Sequence, residues 1–318
     1  MSTFLTLIKR EYWEHKTGLQ WVPMIVGGII VFGVFLAVFV FANSDVRINS
    51  VGSYSITDLF GLYDASVSPE QKRVAIQMGS YSSIISFAIT LGFVSFFYCL
   101  GALYDDRKDK SILFWKSLPV SDSQTVLSKV ATVMLLAPFA FWVVLVASNL
   151  IVMLLATLFA WFSDASAWDS IWAPSNFFGI AGYQLLALYV ATLWAAPVIG
   201  YLLLVSSWTK KVPFLVATVP VVLLIIAESI IFKSANVAGY IGERLAGIWN
   251  AIMTPFASIA GDFAQAFNMD DEDWIAEKLT PSSYFEQLMD LDLWFGLVAA
   301  ALFIIGAIYI RRYRDEAL

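Results

Sequence analysis

The sequence predicts an all-α membrane protein that crosses a bilayer six times. Its 318 residues are 59% hydrophobic and only 14% charged, whereas soluble domains carry about 25% charged residues. The apolar residues are concentrated in six runs, and a helix needs roughly 20 apolar residues to cross a hydrocarbon core of about 30 Å. The runs are apolar on every face, which argues against β-barrel strands, because those alternate apolar and polar residues.

We predict one transmembrane domain over residues 1–318. The spans are expected near residues 19–42, 80–104, 130–162, 177–208, 213–232 and 293–310. The third and fourth runs exceed the minimum length, so these spans are expected to tilt or to extend beyond the bilayer. The first run is longer than the apolar core of a signal peptide, which has about 7–15 residues, and is expected to remain as a span.

The distribution of basic residues predicts the side on which each end lies. Thirteen of the 19 lysines and arginines fall before span one, between spans two and three, between spans four and five, or after span six. Cytoplasmic segments carry such an excess. Both termini and residues 105–129 are therefore predicted to be cytoplasmic, in a bacterial or archaeal plasma (inner) membrane.

Residues 1–18 are predicted to form an amphipathic helix at the membrane interface. Phe4, Ile8 and Tyr12 fall four apart and give one apolar stripe. Aromatic residues beside a basic face suit the interface. An ordinary basic leader remains the alternative.

Residues 233–292 form the largest predicted outer segment. From Leu245 to Phe267, apolar residues recur at steps of three, four or seven, which indicates an amphipathic helix with a bend at Pro255. This helix is expected either to lie on the outer leaflet or to enter it as a re-entrant helix. The acids at 270–273 lack the spacing of a calcium-binding EF-hand loop and are interpreted as a solvated turn.

The polar stretch 105–129 combines charge with three large apolar residues, Ile112, Leu113 and Trp115. Asp109 or Ser111 is expected to start a short helix that ends before Pro119, since the residue before proline avoids helical angles. Ser121 and Gln124 then have the spacing of a capping box and are expected to start the third span. A short loop that keeps an apolar face is expected to dock on a partner.

Residues Leu103 to Ser121, which read LYDDRKDKSILFWKSLPVS, resemble the inner loop of the ABC-2 type transporter permeases. The pattern shared with that family is an acidic residue before Arg107, then a small residue, apolar positions and Leu-Pro-Val-Ser. The match is close over about 20 residues, and the six-span layout agrees with the family over the whole chain. Phe114 to Lys116 depart from the smaller or aliphatic residues of many members.

The resemblance implies that residues 105–129 contain a coupling helix seated on a separate cytoplasmic ABC ATPase subunit. It also implies a second permease subunit, either a homodimer partner or a related chain. The candidates for ATPase contact are Arg107, Lys110, Ile112, Leu113, Trp115 and Lys116. Spans two and five would line the translocation path, with Ser83, Phe87, Thr90 and Glu228 as weaker candidates.

No catalytic or metal-binding residue is predicted in this chain. A phosphate-binding loop is absent, because no lysine follows a glycine directly. ATP and Mg²⁺ would therefore bind the partner ATPase. The chain has one histidine and one cysteine, which excludes a His/Cys metal cluster. Membrane lipid is the other expected partner, and no nucleic acid is expected.

Glu228 is the one charged residue well inside an apolar run. Intramembrane ionisable residues are functional candidates by default. Pairing with the outer interface or with a neighbouring loop is an equally strong interpretation, because Glu228 lies near the outer end of its span.

The predicted function is that of a permease subunit of an ATP-binding cassette exporter. Two alternatives stay open: a membrane-embedded enzyme, and a non-transporting membrane anchor for an ATPase. The substrate cannot be read from these residues.

Overall fold

The computed structural model describes residues 3–42, 46–47, 53–54, 67–109, 120–162, 166–266 and 282–313. Within these ranges the chain is mostly helical, with short turns and links and one antiparallel pairing of two-residue strands, β1 (Val46–Arg47) with β2 (Ser53–Tyr54). Six of the described helical stretches are long and apolar enough to cross a membrane. This confirms the predicted number of spans.

The chain begins with helix α1 (Thr3–Glu14), as predicted, and a π-helical turn (Thr17–Trp21) joins it to α2 (Val22–Ala42). Phe4, Ile8 and Tyr12 are half-buried. The most buried positions of α1 are Leu7 and Glu11, one residue before the predicted stripe. A carboxylate therefore lies on the face that packs against the rest of the protein.

The helical stretch that contains the second predicted span begins before that span. Helix α3 (Pro69–Ser82) leads into α4 (Ile84–Ala102) and then α5 (Tyr104–Lys108), so that 69–79 are helical and not part of a loop. The physical reason is a capping box: Ser68 Oγ accepts from the backbone N–H of Gln71, and Gln71 Oε1 accepts from that of Ser68. Pro69 then occupies the first helical turn, where a missing N–H costs nothing.

The third stretch contains α6 (Asp122–Ala131), a π-helical turn (Thr132–Leu136) and α7 (Ala137–Phe162). Its predicted start is confirmed. Ser121 Oγ accepts from the N–H of Gln124, and Gln124 Oε1 accepts from the N–H of Ser121, each at 3.2 Å. The short helix predicted from Asp109 or Ser111 lies outside the described residues.

Most of the fourth stretch is packed inside the protein. It consists of a π-helical turn (Trp168–Trp172), α8 (Ala173–Ser175) and the 32-residue α9 (Phe177–Trp208). Of its most apolar window, 67% is buried, against 6% for the following helix α10 (Pro213–Ile231). The backbones come close at Gly200, where an added Cβ would lie 2.9 Å from the carbonyl oxygen of Ala300. Helix α9 is thus the axis on which the other helices pack.

Three helices complete the chain: α11 (Asn236–Ala266), α12 (Ser282–Met289) and α13 (Leu291–Tyr313). The predicted amphipathic helix is confirmed as α11 and runs through Pro255. It packs against protein: Ala251, Ile252 and Ile259 are buried, and Tyr81 Oη donates to the carbonyl of Ile252 at 2.9 Å. The predicted acidic turn at 270–273 lies outside the described residues.

Candidate functional site

Six charged side chains from four separate helices meet in what we call the charged junction. They come from α1, from α5 at the end of the second stretch, from α6 at the start of the third, and from the last turn of α13. The junction consists of Arg10, Glu11, Asp106, Asp122, Lys129 and Arg311.

An ion pair between Lys129 and Glu11 lies at the centre of the junction. Lys129 Nζ is 3.0 Å from Glu11 Oε1, and each side chain is 1% exposed. Tyr98 Oη donates to the other carboxylate oxygen, Glu11 Oε2, at 2.9 Å. Lys129 Nζ also lies 3.6 Å from Asp106 Oδ2. A buried charge is tolerated only when it is paired and hydrogen-bonded, and these contacts meet that condition.

Arg311 joins the two ends of the segment between the second and third helical stretches. Its Nη1 lies 3.3 Å from Asp106 Oδ2, and its Nε lies 3.1 Å from Asp122 Oδ1. Asp106 precedes residues 110–119, and Asp122 follows them. Both ends of that segment are therefore attached to the last turn of α13.

Arg10 completes the charge balance. Its Nη2 lies 3.7 Å from Asp106 Oδ1 and 3.8 Å from Glu11 Oε1. Three cations and three anions then face one another, so the junction has no net charge. Since the interior has a low effective dielectric constant, an unbalanced set of this kind would cost much more than a balanced one.

Arg107 is buried and attaches the end of the second helical stretch to the end of α9. It is 7% exposed, and its Nη2 donates to the backbone carbonyls of Ser206 and Thr209, the latter at 2.9 Å. Ser206 Oγ in turn accepts from the backbone N–H groups of Leu103 and Tyr104, both at 3.0 Å. The structure thus places the Arg107 side chain at the C-terminal end of α9, and its contact with an ATPase subunit stays a prediction.

The other predicted ATPase contacts lie outside the described residues. These are Lys110, Ile112, Leu113, Trp115 and Lys116. Their contact with a partner stays a prediction.

Of the residues predicted for the translocation path, Ser83 and Phe87 pack inside the chain. Ser83 Oγ donates a hydrogen bond to Asn149 Oδ1 at 2.9 Å. Phe87 is fully buried, and its ring is edge-on to that of Phe141. Thr90 is half-buried, and its Oγ1 donates to the carbonyl of Ser86 in its own helix. The place of Ser83, Phe87 and Thr90 in a translocation path stays a prediction.

Glu228 closes the turn between α10 and α11. Its Oε1 accepts from Ser234 Oγ at 2.7 Å and from the N–H of Asn236 at 2.8 Å, and its Oε2 accepts from the N–H of Val237 at 2.9 Å. A carboxylate in this position satisfies N–H groups that the first turn of a helix leaves unpaired. Of the two interpretations from sequence, the contacts support pairing with a neighbouring loop.

His15 borders the junction just after α1. Its ring is edge-on to Tyr98, with centroids 4.6 Å apart, and Nε2 is 3.9 Å from Glu11 Oε2. Burial lowers the pKa of His15 below its usual value, although the charge of Glu11 acts in the opposite direction.

Glu11, Glu14 and His15 have the spacing of a metal-binding group. Both carboxylates already have cationic partners: Glu11 pairs with Lys129, and Glu14 accepts two hydrogen bonds from Arg10. We assign no metal to this group, because binding would require these pairs to break.

Sequence reasoning missed Glu11, Lys129 and Arg311 as members of one site. Glu11 and Lys129 lie on separate helices, 118 positions apart. One signal was present: in a helix read for its apolar stripe, Glu11 falls on the same side as Leu7 and Ile8. A charge on the packed face of a helix indicates a buried partner.

Comparison with known proteins finds no match: no family model, no curated protein and no solved structure is similar to this chain.

Proposed function

We propose that this chain is the membrane-spanning subunit of an ATP-binding cassette exporter. A separate cytoplasmic ATPase would bind ATP and Mg²⁺ and would act on the segment between Asp109 and Val120. The observation that carries the proposal is the attachment of both ends of this segment to Arg311. It stands beside the resemblance of residues 103–121 to the inner loop of ABC-2 type permeases.

The charged junction gives the proposal a mechanical basis. A docked ATPase that displaces the loop would pull on Asp106 and Asp122. Through Arg311 the displacement reaches α13, and through Lys129 and Glu11 it reaches α1. Packed elements move as units because protein interiors are close-packed and transmit strain. A push on the loop would therefore reorient several spans together.

The same contacts support the proposed orientation. Arg10, Asp106, Asp122 and Arg311 touch one another, which requires α1, the loop ends and the end of α13 to lie at one end of the helices. The excess of basic residues supports a cytoplasmic position for that end, and the proposed membrane is the plasma (inner) membrane of a bacterium or archaeon. A second permease subunit completes the proposed complex.

The test replaces Ile112, Leu113 and Trp115 together with Asp. Wild-type protein purified in mild detergent from its native membrane should carry an ATPase activity, and the triple variant should lose it while still inserting in the membrane. Lys210→Asp with Lys211→Asp is the matched control, because it changes charge in the short link after α9 and should keep the ATPase. The proposal is wrong if the triple variant retains full ATPase yield and transport.

A further inference from the structure

A second polar site lies away from the charged junction, between α9, α11 and the chain around the start of α13. It is a pocket of about 400 Å³. This volume falls within the range of small-molecule sites, about 300–1,000 Å³. Its wall includes Trp194, Glu243, Gly247, Gln287, Asp290 and Asp292.

The pocket lies toward the end of α13 that is opposite the charged junction. Asp290 and Asp292 flank Leu291, the first residue of α13, whereas Arg311 lies in its last turn. Asp292 is 19 positions before Arg311, a length of about 28 Å at about 1.5 Å per residue. The three carboxylates of the wall are exposed, so a ligand can reach them.

Two residues of the wall each have a buried polar atom without a hydrogen-bond partner among the described residues. Trp194 is 6% exposed, and its indole Nε1–H is unpaired. Gln287 uses its Nε2 to donate to Thr254 Oγ1 at 2.9 Å, which leaves its buried Oε1 unpaired. Buried polar atoms are almost always hydrogen-bonded, so each exception needs an explanation. One donor and one acceptor in the same pocket wall form a complementary pair for a ligand.

The position of Trp194 is fixed by its neighbours. Its six-membered ring packs on Gly247, where an added Cβ would lie 2.3 Å from Cδ2 and Cε3. The guanidinium of Arg244 also lies over the Trp194 ring, with Cζ 5.2 Å from the ring centroid. The backbone of α11 therefore requires glycine at 247 to admit the indole. A donor held in this way is preorganised for a ligand.

The charge of the wall is negative. Glu243, Asp290 and Asp292 are exposed, and the nearest described cation, Arg244, is 3% exposed and is not part of the wall. Arg244 donates through Nη2 to the backbone carbonyl of Asp292. Asp290 Oδ1 accepts from the N–H of Asp292 at 2.9 Å, which holds it at the start of α13. Glu243 and Asp292 have no ion-pair partner among the described residues.

We propose that this pocket binds a small organic cation that carries a carbonyl or hydroxyl oxygen close to its ammonium group. The ammonium lies among Glu243, Asp290 and Asp292 and donates to Gln287 Oε1. The neighbouring oxygen accepts from the indole N–H of Trp194. The site belongs to this chain alone and needs no ATPase, so it stands or falls separately from the proposed function.

The test uses two probes that differ in one charge. Phenylalaninamide carries an ammonium next to a carbonyl, and N-acetylphenylalaninamide is its neutral counterpart. Titration calorimetry on the purified chain in detergent should show saturable binding of phenylalaninamide and much weaker binding of the neutral compound. Absence of saturable binding to folded protein, or equal binding of the two probes, overturns the proposal.

Three variants locate the binding. Glu243→Gln and Asp292→Asn should each weaken phenylalaninamide roughly two- to fivefold, the effect of one solvent-exposed ion pair. Trp194→Phe keeps an aromatic ring and removes the N–H, and should weaken both probes. Glu286→Gln is the matched control, because Glu286 is an exposed acid beside Gln287 that is not part of the wall, and it should bind as the wild type does.

Two further results count against the site. Equal weakening by Glu286→Gln would show a general charge effect rather than a pocket. Analytical ultracentrifugation gives the concentration at which the protein self-associates. If phenylalaninamide binds only below that concentration, a second copy of the chain covers this wall. Either result would exclude the cation as the natural occupant.

Discussion

The charged junction and the pocket at Trp194 both bring polar side chains into an apolar protein, but they satisfy those side chains differently. In the junction each charged side chain has an opposite charge within 4.0 Å. In the pocket an indole N–H and an amide oxygen are unpaired, and three carboxylates line one wall without a cation. Every charge of the junction is paired within the chain, whereas the described residues of the pocket wall include no cation.

This difference separates two roles. A polar cluster that is satisfied internally stabilises one arrangement of helices, and its removal should be seen in folding. A cluster left unsatisfied adds little to stability, and its removal should be seen in binding. The effect of substitution on unfolding can therefore distinguish them.

The largest effect is expected for Lys129→Met. The side-chain volume is nearly kept, but Glu11 and Asp106 lose the ammonium between them. Removing one partner of a buried ion pair costs about 3–5 kcal/mol, measured as the free energy of unfolding in a denaturing detergent titration. Lys210→Met, at an exposed lysine, should change it by less than about 0.5 kcal/mol.

A second substitution tests whether charge causes the loss. Glu11→Gln added to Lys129→Met removes the unpaired carboxylate and should recover part of the stability. If Lys129→Met unfolds no more easily than Lys210→Met, the junction does not hold these helices together.

A smaller, pH-dependent effect is expected at His15. Its pKa is lowered in the folded protein, chiefly by burial, so the folded state binds a proton less readily than the unfolded chain. Above the usual histidine pKa of about 6.5 neither state is protonated and stability is unaffected. As the pH falls below that value, the unfolded chain takes up the proton and stability falls.

Because His15 is the single histidine, His15→Gln isolates this effect. The melting temperature of the wild type should fall as the pH is lowered from about 6.5 to about 5. The variant should lack the part of this fall that comes from His15. The same pH dependence in both proteins would show that His15 does not titrate differently on folding.

The smallest effect is expected in the pocket, for Gln287→Met. The variant loses one hydrogen bond to Thr254, whose Oγ1 still donates to the carbonyl of Asn250 at 2.6 Å. The lost hydrogen bond destabilises the folded protein, whereas removal of the unpaired buried oxygen stabilises it. The free energy of unfolding should therefore change by less than about 1 kcal/mol. A loss comparable to that of Lys129→Met would place the pocket among the structural clusters and remove the contrast.

Features that depend on local sequence could be predicted. The spans follow from apolar runs, and the helix start at Ser121 follows from a capping box that four residues define. The earlier start at Ser68 uses the same motif, and it was missed because the polar residues after Pro69 favoured a loop. Hydropathy alone does not detect this helix signal.

Features that depend on long-range pairing could not be predicted. Nothing near Glu11 indicates Lys129 as its partner, and nothing near Asp122 indicates Arg311. The unpaired indole of Trp194 is also invisible in the sequence, because it depends on the close approach of Gly247 from another helix. In each case the informative quantity is a distance between helices.

The order of synthesis gives the charged junction a further consequence. Glu11 emerges from the ribosome 300 residues before Arg311, an interval of roughly 15–60 s at about 5–20 residues per second. During that time Asp106 can already pair with Arg10 and Lys129, but Asp122 lacks Arg311, which lies in the last described helical turn. A nascent chain that stops short of Arg311 would leave Asp122 without this ion pair, so the contact between α6 and α13 closes only when the chain is almost complete.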